Sequence, residues 1–359
     1  MLTTTLFRSY GYRHPLTTDW QIVVQGRRFY ETLASTLAEL DLAKRLMLRG
    51  LLKRLQLPIE ALADPQFGPR IAGFLAGATP GERIRLRIAE QPHSLRRPTG
   101  KSGLFYDRIG LGPTAFSGDE IYCDRSPARG GVWLQTEGAD ASGRGEVFLA
   151  DTRGINVITD IDDTIKLTEV HSRERMLART FVDPFEPIDG MAELYRDWGS
   201  RYPIIFQYVS SSPWQLYTPL QCFLDEHHFP AGSMHLRWFT LKGELLRKSS
   251  VIRRRGKSTV ISTLIDQMPS RQFFLIGDSG ESDPEIYAAI ARRYSKSVAA
   301  IAIRDLPHSP LSGARLHAVN AVLSGVPLQI FRDPADIGDL IEQFAGKGFR
   351  GQVSGIDRI

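Results

Sequence analysis

The sequence predicts an α/β fold in which a β-sandwich-like domain with a helical insertion precedes a parallel sheet covered by helices. Two observations lead to this prediction. Short alternating apolar runs separated by Gly, Pro and Ser turns fill residues 83–150. From Gly154 onward, strand-like apolar runs alternate with helical stretches. We therefore expect a β-rich domain over residues 1–150, an α/β domain over residues 151–346 and a loose tail over residues 347–359.

In the β-rich half, alternating runs flank an insertion at about residues 31–79, which has apolar residues near helical spacing. The insertion also carries a basic cluster, which either contacts an anionic membrane surface or lies in solvent on a packed helix. The predicted strands are Gln21–Val24, Ile84–Ile88, Gly103–Tyr106, Val132–Gln135 and Glu146–Leu149. The apolar positions are Leu33, Leu37, Leu40, Met47 and Leu51, and the basic ones are Lys44, Arg45, Arg49, Lys53 and Arg54.

In the second half, alternation of strands and helices is typical of a parallel sheet, whose ligands bind at the carboxyl ends of the strands. The predicted strands are Ile155–Thr159, Ile204–Val209, Phe273–Ile276, Val298–Ile303 and Leu328–Phe331. The predicted helices are Met191–Trp198, Trp214–His227, Thr259–Met268, Glu285–Tyr294, Ala314–Leu323 and Asp333–Phe344.

Net charge, cysteine spacing and the distribution of apolar residues limit the classes of protein to which this sequence can belong. The 359 residues carry a net charge of +5, which suits an anionic substrate or surface and gives no reason to expect a nucleic-acid partner. Cys123 and Cys222 lack metal-ligand spacing, so we expect reduced thiols in a cytoplasmic protein. The start of the chain, Met1–Thr5, lacks signal-peptide features, and no apolar run reaches the length of a membrane span.

The most informative stretch is Asp160-Ile161-Asp162-Asp163-Thr164, which directly follows the predicted buried strand Ile155–Thr159. Crowded carboxylates repel one another unless they share a cation. Oxygen ligands without nearby Cys or His favour Mg²⁺ over zinc. We therefore predict a magnesium site at this strand end.

Three further features accompany this motif. Ser210-Ser211-Ser212 follows one predicted strand, Lys257 opens a helix, and Gly277–Asp283 follows another strand. Each feature is weak alone, because acidic pairs cap helices, serine runs form turns, and a lysine beside Arg253–Arg255 is usually solvated. When all four features occur in this order and at strand ends, they indicate a functional site much more specifically than any one of them alone.

Phosphoryl transfer needs a nucleophile, a cation that neutralises the phosphate, and an acid for the leaving oxygen. Asp160 suits the nucleophile, which would form an acyl phosphate, and Asp162 suits the acid and later the base. Asp278 completes a Mg²⁺ site with Asp160 and the backbone carbonyl of Asp162, while Asp283 holds metal waters or orients Lys257. The phosphate oxygens are bound by Ser210, the amides that follow it, and Lys257.

These motifs resemble those of haloacid dehalogenase-like (HAD) phosphatases, and more narrowly the catalytic domain of the actin-patch-protein type of phosphatidate phosphatase. The resemblance lies in Asp160–Lys166, Tyr208–Tyr217 and Leu275–Tyr287, within roughly Gly154–Asp305. It implies a Rossmann-like HAD domain, dependence on Mg²⁺, and removal of phosphate from phosphatidic acid and related lipid phosphates. The roles it implies are nucleophile for Asp160, acid/base for Asp162, phosphate binding for Ser210, Ser211 and Lys257, metal binding for Asp160, Asp162, Asp278 and Asp283, and a motif position for Thr164.

Three features depart from the family pattern. Ser211 stands where the family often has Asn, and the stretch His235–Phe239 is less typical than the motifs around it. Lys242 and Lys248 also compete with Lys257 for the role of the motif lysine. These departures affect the identity of the substrate more than the chemistry.

The insertion between the first two motifs, about Ile165–Asp189, is short and predicts a flap rather than a closed lid. An open site of this kind admits large substrates, such as a lipid headgroup or a phosphoprotein. Two interpretations are open for each nearby side chain. The arginines either contact an anionic substrate or are solvated, and the aromatic residues either contact the substrate or pack in the core. These side chains are the arginines Arg173, Arg175 and Arg179 and the aromatic residues Phe181, Phe185, Trp214 and Trp238.

Three hypotheses of function follow. The leading hypothesis is a lipid phosphate phosphatase that acts as a peripheral protein at an anionic membrane. The second is a phosphatase of soluble phosphate esters or phosphoproteins with the same chemistry. The third is a membrane- or protein-binding scaffold with an inactive phosphatase fold. The presence of Asp160, Asp162, Lys257 and Asp278 argues against the third hypothesis.

Overall fold

The structure is a computed structural model that describes residues 2–30, 48–50, 52–53, 59–116, 122–123, 130–137, 143–237 and 250–345. These residues form a largely antiparallel sheet in the N-terminal half and a parallel sheet in the C-terminal half. The predicted α/β class, with a β-rich half before a parallel sheet, is confirmed at this level.

The N-terminal sheet has the order β1-β3-β2-β10-β9-β5-β6, with β4 and β7 paired to β3 and β8 paired to β9. The described pairs are antiparallel, apart from the parallel pair of β2 and β10. The alternation that predicts these strands is visible in β5, where Leu86 and Ile88 are buried and Arg85 and Arg87 are exposed. The strands are β1 Leu2–Leu6, β2 Ser9–Arg13, β3 Trp20–Tyr30, β4 Gly77–Ala78, β5 Arg85–Ile88, β6 Gln91–Ser94, β7 Leu104–Leu111, β8 Tyr122–Cys123, β9 Gly130–Thr136 and β10 Arg144–Ala150.

The predicted helical insertion lies between β3 and β4. Its described part is helical at residues 48–50 and 52–53, in a 3₁₀ turn at Ile59–Ala63, and in helix α1, Phe67–Leu75. Helix α1 buries Phe67, Ile71 and Phe74. Most of the predicted amphipathic segment, including Lys44, Arg45 and Arg54, lies outside the described residues.

The parallel sheet has the order β13-β12-β11-β14-β15-β16, and every predicted strand of this half is present. Its strands are β11 Ile155–Thr159, β12 Ile204–Pro213, β13 Gly232–Arg237, β14 Gln272–Asp278, β15 Val298–Arg304 and β16 Leu328–Phe331. The helices are α2 Arg173–Phe181, α3 Met191–Arg201, α4 Tyr217–Glu226, α5 Ser250–Gln267, α6 Asp283–Arg293, α7 Gly313–Asn320 and α8 Leu340–Phe344, with 3₁₀ turns at Trp214–Leu216 and Pro334–Ile337. Strand β13 and helix α2 were not predicted.

Alternating side chains of the parallel sheet supply two cores. In β14, Phe274 and Ile276 lie in the core that contains Trp198 of α3, while Phe273 and Leu275 lie in the core that contains Leu264 of α5. Because both faces are covered, the central strand β11 is buried along its whole length. This packing fixes the strand ends at which the predicted motifs occur.

The two sheets meet around the junction of β1 and β2. The Arg8 guanidinium pairs with Glu146 of β10 at 2.5 Å and with Asp225 of α4 at 2.8 Å. The Arg8 amide donates to the Tyr217 hydroxyl at 2.8 Å, and the Phe7 and Tyr217 rings lie 4.4 Å apart. The N-terminal half therefore packs directly against the helix that follows the serine motif.

Cys222 is a free, exposed thiol, whereas the side chain of Cys123 lies outside the described part of the structure. Among the described helices, none combines the length and the apolarity that crossing a membrane requires.

Candidate active site

Adjacent parallel strands bring the two acidic motifs together. Asp160 follows β11, and Asp278 is the last residue of β14. Thr159 lies opposite Ile276 in this strand pair, and the Asp160 amide donates to the Ile276 carbonyl at 2.9 Å. The carboxyl ends of parallel strands meet at one edge of the sheet, so both carboxylates lie at the same edge. Their exposed fractions are 3% for Asp160 and 0% for Asp278.

The ammonium of Lys257, in α5, lies between two carboxylates. Its Nζ lies 2.9 Å from Asp160 Oδ1 and donates to Asp283 Oδ1 at 2.5 Å. Burial lowers the pKa of Lys257, but Asp160 and Asp283 outweigh burial, so the pKa lies well above its ordinary value. The interpretation of Lys257 as a solvated charge is wrong, because only 6% of the residue is exposed.

Three buried carboxylates form a group that could hold a metal ion. Asp160, Asp278 and Asp283 each offer an oxygen, and these oxygens lie within 4.8 Å of one another. Asp283 Oδ2 is buried without a hydrogen-bond partner among the described residues. At Gly277 a Cβ would lie 2.3 Å from that oxygen, so a glycine is needed for the close approach. An all-oxygen donor set with an unsatisfied buried oxygen fits a hard divalent cation such as Mg²⁺.

The charge balance of this group also fits a bound cation. Burial raises the pKa of Asp160 well above its ordinary value, and Asp283, Asp278 and Asp162 add to the rise against the pull of Lys257. Burial, followed by the charge of Asp283, likewise raises the pKa of Asp278. One ammonium does not neutralise three buried carboxylates, so a divalent cation would stabilise their charged forms.

The carboxylate of Asp162 lies apart from this group, and both of its oxygens have partners. Oδ2 accepts from Ser212 Oγ at 2.6 Å and from Ser210 Oγ at 3.3 Å. Oδ1 accepts from Thr168 Oγ1 at 2.8 Å and lies 3.1 Å from Lys166 Nζ. Burial raises the pKa of Asp162, but Lys166, Ser212 and Thr168 outweigh burial and hold the pKa below its ordinary value.

The serine motif occupies the end of β12, where successive side chains point to opposite faces. Ser210 and Ser212 therefore both face Asp162, and the Ser212 amide donates to Ser210 Oγ at 2.9 Å. The Ser211 side chain forms no hydrogen bond with Asp162 or the buried acidic group among the described residues. The sequence motif includes Ser212 without a role for its side chain, although the period-two spacing from Ser210 is the available signal.

Two residues of the first motif region connect to these carboxylates. The predicted motif residue Thr164 is fully buried, and its Oγ1 lies 3.5 Å from Asp278 Oδ2 as a weak donor. Lys166, the last residue of the motif Asp160–Lys166 and one without a predicted role, is buried beside Asp162. The signal for Lys166 was a cation four residues after an acid of the motif.

An arginine of α7 braces the loop that carries Asp278 and Asp283. The Arg315 guanidinium donates to the backbone carbonyl of Ser279 and, at 2.7 Å, to that of Glu281. It also pairs with Glu285 at 2.8 Å. Sequence reasoning gave no indication of Arg315, because it lies far along the chain from the loop.

The flap side chains are mostly engaged within the fold. Arg175 and Arg179 pair with Glu169 at 2.9 Å and 3.3 Å, and Arg179 also pairs with Glu186 at 2.9 Å, so two carboxylates balance the two charges locally. Phe181 and Trp214 are 3% and 6% exposed, which supports the interpretation of core packing for both rings. Phe185 is half-buried, and Trp238, Lys242 and Lys248 lie outside the described residues.

A family comparison identifies the segment that holds this site. Residues 155–305, fewer than half of the 359, match the family described as phosphatidate phosphatase APP1, catalytic domain. This segment therefore resembles an APP1 catalytic domain, and we call it the APP1-type segment. The APP1-type segment begins with β11 and contains both acidic motifs, the serine motif and Lys257. The resemblance predicted from the sequence is confirmed.

The two yeast proteins that this chain resembles are much longer than this chain. Phosphatidate phosphatase APP1 from Saccharomyces cerevisiae is 33% identical over 159 residues, which cover 44% of this chain and 27% of that protein. An uncharacterized protein from Schizosaccharomyces pombe is 33% identical over 165 residues, or 45% of this chain and 27% of that protein. The match therefore spans about a quarter of the length of each relative. A solved structure of an uncharacterized protein from Listeria monocytogenes serotype 4b is 13% identical, covers 53% of this chain and 98% of that chain, and has a TM-score of 0.34.

Proposed function

We propose that this protein is a Mg²⁺-dependent phosphatase that acts through an aspartyl-phosphate intermediate on phosphatidic acid or related lipid phosphates. The observation that carries this proposal is the buried cluster in which Lys257 Nζ lies 2.9 Å from Asp160 Oδ1, beside Asp278 and Asp283. The APP1-type segment around the cluster supports a lipid phosphate as the substrate. The single Lys257 charge among acids suits a site that receives both a divalent cation and a phosphate.

In the first chemical step, a carboxylate oxygen of Asp160 attacks phosphorus while the ester P–O bond on the opposite side breaks. Asp162 donates a proton to the leaving oxygen, which departs as an alcohol. Asp162 must carry a proton at this point, and the negative charge of the arriving phosphate favours its protonated form. The products of this step are an aspartyl phosphate at Asp160 and an ionised Asp162.

In the second step, water attacks the phosphorus of the aspartyl phosphate. Asp162 accepts a proton from the water as the new P–O bond forms and the bond to Asp160 breaks. Inorganic phosphate leaves, and both aspartates return to their starting states. One residue can therefore act first as acid and then as base.

The binding roles follow from the same contacts. Asp160, Asp278 and the backbone carbonyl of Asp162 would hold Mg²⁺, which neutralises phosphate charge when bound. The hydrogen bond from Lys257 supports an orienting role for Asp283. The phosphate oxygens would be bound by Lys257, the Ser210 hydroxyl and the amides from Ser211 onward.

We infer that the domain limits are those expected from the sequence. The change from the N-terminal sheet, which ends with β10 at Ala150, to the parallel sheet, which begins at Ile155, supports a boundary there. The proposed units are a β-sandwich-like domain at residues 1–150 with an insertion at about residues 31–79, a Rossmann-like HAD domain at residues 151–346, and a tail at residues 347–359.

We infer a cytoplasmic protein that contacts anionic membranes peripherally and has no nucleic-acid partner. The net charge of +5 supports attraction to an anionic surface. In liposome flotation, vesicles with anionic lipid should carry the protein upward and neutral vesicles should not. Equal flotation with both would contradict the electrostatic part of this inference.

The function is tested by phosphate release from phosphatidic acid in mixed micelles, with and without Mg²⁺, for wild type and Asp160→Asn. A soluble alkyl phosphate ester serves as the comparison substrate. Release that requires Mg²⁺, disappears in the variant and favours the lipid is the expected result. Turnover of the soluble ester alone would keep the chemistry and reject the lipid substrate. A folded protein that releases phosphate from neither substrate would favour a binding scaffold.

A further inference from the structure

Lys166 is a buried cation that the mechanism described above does not use. It is 2% exposed, and its Nζ lies 3.1 Å from Asp162 Oδ1 and donates to Thr168 Oγ1. The ammonium also lies 4.9 Å from the centre of the Phe185 ring. A lysine is rarely buried unless its charge is paired, so its contact with Asp162 requires an explanation.

The partners of Asp162 fall into two sets. Oδ1 is held by Lys166 and Thr168, which lie at the base of the flap. Oδ2 is held by Ser210 and Ser212, which lie at the proposed phosphate site. The hydroxyls of serines can turn away when a substrate arrives, because each can donate to another acceptor. Oδ1 is therefore held by an ammonium and a hydroxyl of the flap, whereas Oδ2 is held by two hydroxyls at the proposed phosphate site.

A tight backbone turn places Lys166 beside Asp162. Asp163 adopts a left-handed φ of 55°, and its amide donates to the Lys166 carbonyl at 2.7 Å. The Asp163 carboxylate accepts the amides of Thr168 and Glu169 at 2.8 Å and 2.7 Å. This tight turn folds the chain back so that Lys166 and Thr168 both lie beside Asp162.

We propose that Lys166 is a positioning residue that, with Thr168, fixes Oδ1 of Asp162 and leaves Oδ2 to exchange the proton with the leaving oxygen. This inference rests on the proposed function. As the ester P–O bond breaks, the proton on Oδ2 passes to the departing oxygen. When water later attacks phosphorus, its proton passes to the same Oδ2. Lys166 neither gains nor loses a proton in either step.

The dependence of the rate on the leaving group separates this role from a purely structural one. An alkoxide is a poor leaving group and needs a proton from Asp162, whereas para-nitrophenolate leaves readily without one. The ratio kcat/KM reports only the steps up to departure of the leaving group, so it isolates the first proton transfer. A general defect of folding or substrate binding would lower kcat/KM for both kinds of ester alike.

The experiment compares wild type, Lys166→Met and Asp162→Asn on short-chain phosphatidic acid and on para-nitrophenyl phosphate. We expect Lys166→Met to lower kcat/KM about 100-fold for the alkyl ester and less than about 10-fold for the aryl ester. Asp162→Asn should show the same selectivity. If Lys166→Met does not fold, Thr168→Val tests the same oxygen, because Thr168 Oγ1 donates to Oδ1 without carrying a charge.

Equal losses on the two esters in the folded variant, with Asp162→Asn still selective, would overturn the positioning role and leave the proposed function intact. If wild type hydrolyses neither ester, or Asp160→Asn remains active, the proposed function itself fails. Lys166→Arg is the conservative comparison. Compared with Lys166→Met, Lys166→Arg should partly recover kcat/KM for the alkyl ester and leave kcat/KM for the aryl ester unchanged.

Discussion

The chemistry of this protein depends on a small set of buried charges with identifiable partners. Asp160, Asp278 and Asp283 share the charge of Lys257, while Asp162 has its own cation in Lys166. The two groups differ in their excess of negative charge. The first needs a further cation, and the second is balanced.

The substitution Asp278→Asn should weaken Mg²⁺ binding, because it removes one charge while keeping an oxygen that can accept from the Gly280 amide. We expect the Mg²⁺ concentration for half-maximal activity to rise at least about 10-fold. The stabilisation that Mg²⁺ gives in thermal unfolding should also shrink. Asp189→Asn, at an exposed carboxylate outside the cluster, is the matched control. An unchanged Mg²⁺ requirement in Asp278→Asn would exclude Asp278 as a ligand.

His235 of β13, which lies opposite Val209 in the pair of β12 and β13, should make stability depend on pH. Burial lowers the pKa of His235 to about 4, and its Nε2 contacts Gln207 Oε1 at 2.8 Å and Ser233 Oγ at 2.9 Å. Since the unfolded side chain titrates near pH 6.5, only the unfolded state binds this proton between about pH 6.5 and pH 4. The free energy of unfolding should therefore fall as pH falls through that range, by about 3 kcal/mol in total.

Denaturant unfolding at a series of pH values measures this effect, with His235→Gln as the comparison. The difference in unfolding free energy between the two proteins should change between pH 6.5 and pH 4 and be constant above that range. A difference that does not vary with pH would show that His235 titrates alike in both states.

At the scale of secondary structure, helix α1 of the insertion supports the flap. The Arg70 guanidinium donates to the carbonyls of Asp183 at 2.6 Å and Thr180 at 3.4 Å, and it lies 3.8 Å from the Phe185 ring centre. Arg70 is 3% exposed. The flap is therefore attached to the insertion by a side chain that the sequence patterns did not single out.

Arg70→Met should loosen the flap because two carbonyls lose their donor while the apolar part of the side chain remains. We expect a loss of unfolding free energy of about 1–3 kcal/mol. Amide hydrogen exchange over α2, Arg173–Phe181, should become faster than in wild type. Arg83→Met, an exposed arginine of the same half, is the control. Unchanged exchange in α2 would contradict the supporting role of α1.

The elements that sequence predicted have a simple local cause. The run Phe273–Ile276 is apolar throughout, and Ile155–Thr159 is mostly apolar and fully buried, because both faces of the parallel sheet are covered. The missed strand β13 has only its first half buried, and the missed helix α2 is short and rich in arginine. Strand β13 lacks a regular alternation of buried and exposed residues, and helix α2, although Leu177 and Phe181 stand at helical spacing, is too short for this spacing to predict it.

The residues of the candidate site also fall into those that sequence alone could predict and those that it could not. The positions of Asp160 and Asp278 follow from the rule for parallel strand ends, so sequence alone could predict them. The contact between Lys166 and Asp162 depends on the left-handed backbone at Asp163, and the Arg315 brace depends on tertiary packing. For Lys166 the spacing shows only a cation four residues after an acid, which does not by itself predict the contact, and for Arg315 the spacing gives no signal.

At the scale of the whole molecule, the N-terminal half is joined to the proposed catalytic half through Arg8, Glu146 and Asp225. This junction lies against α4, which follows the serine motif. The APP1-type segment covers residues 155–305, so the N-terminal sheet is outside the family match but packed on its structure. The N-terminal half therefore packs against the helix that follows the serine motif.

The central claim is that Asp160 is phosphorylated during turnover, and chemical trapping tests it most directly. Protein mixed with phosphatidic acid and Mg²⁺ is quenched in acid during the first turnover and treated with borohydride, which reduces an acyl phosphate to an alcohol. Mass spectrometry should then find Asp160 reduced to the alcohol in wild type. Reduction at a different residue, or an unmodified Asp160 in protein that is releasing phosphate, would contradict the claim.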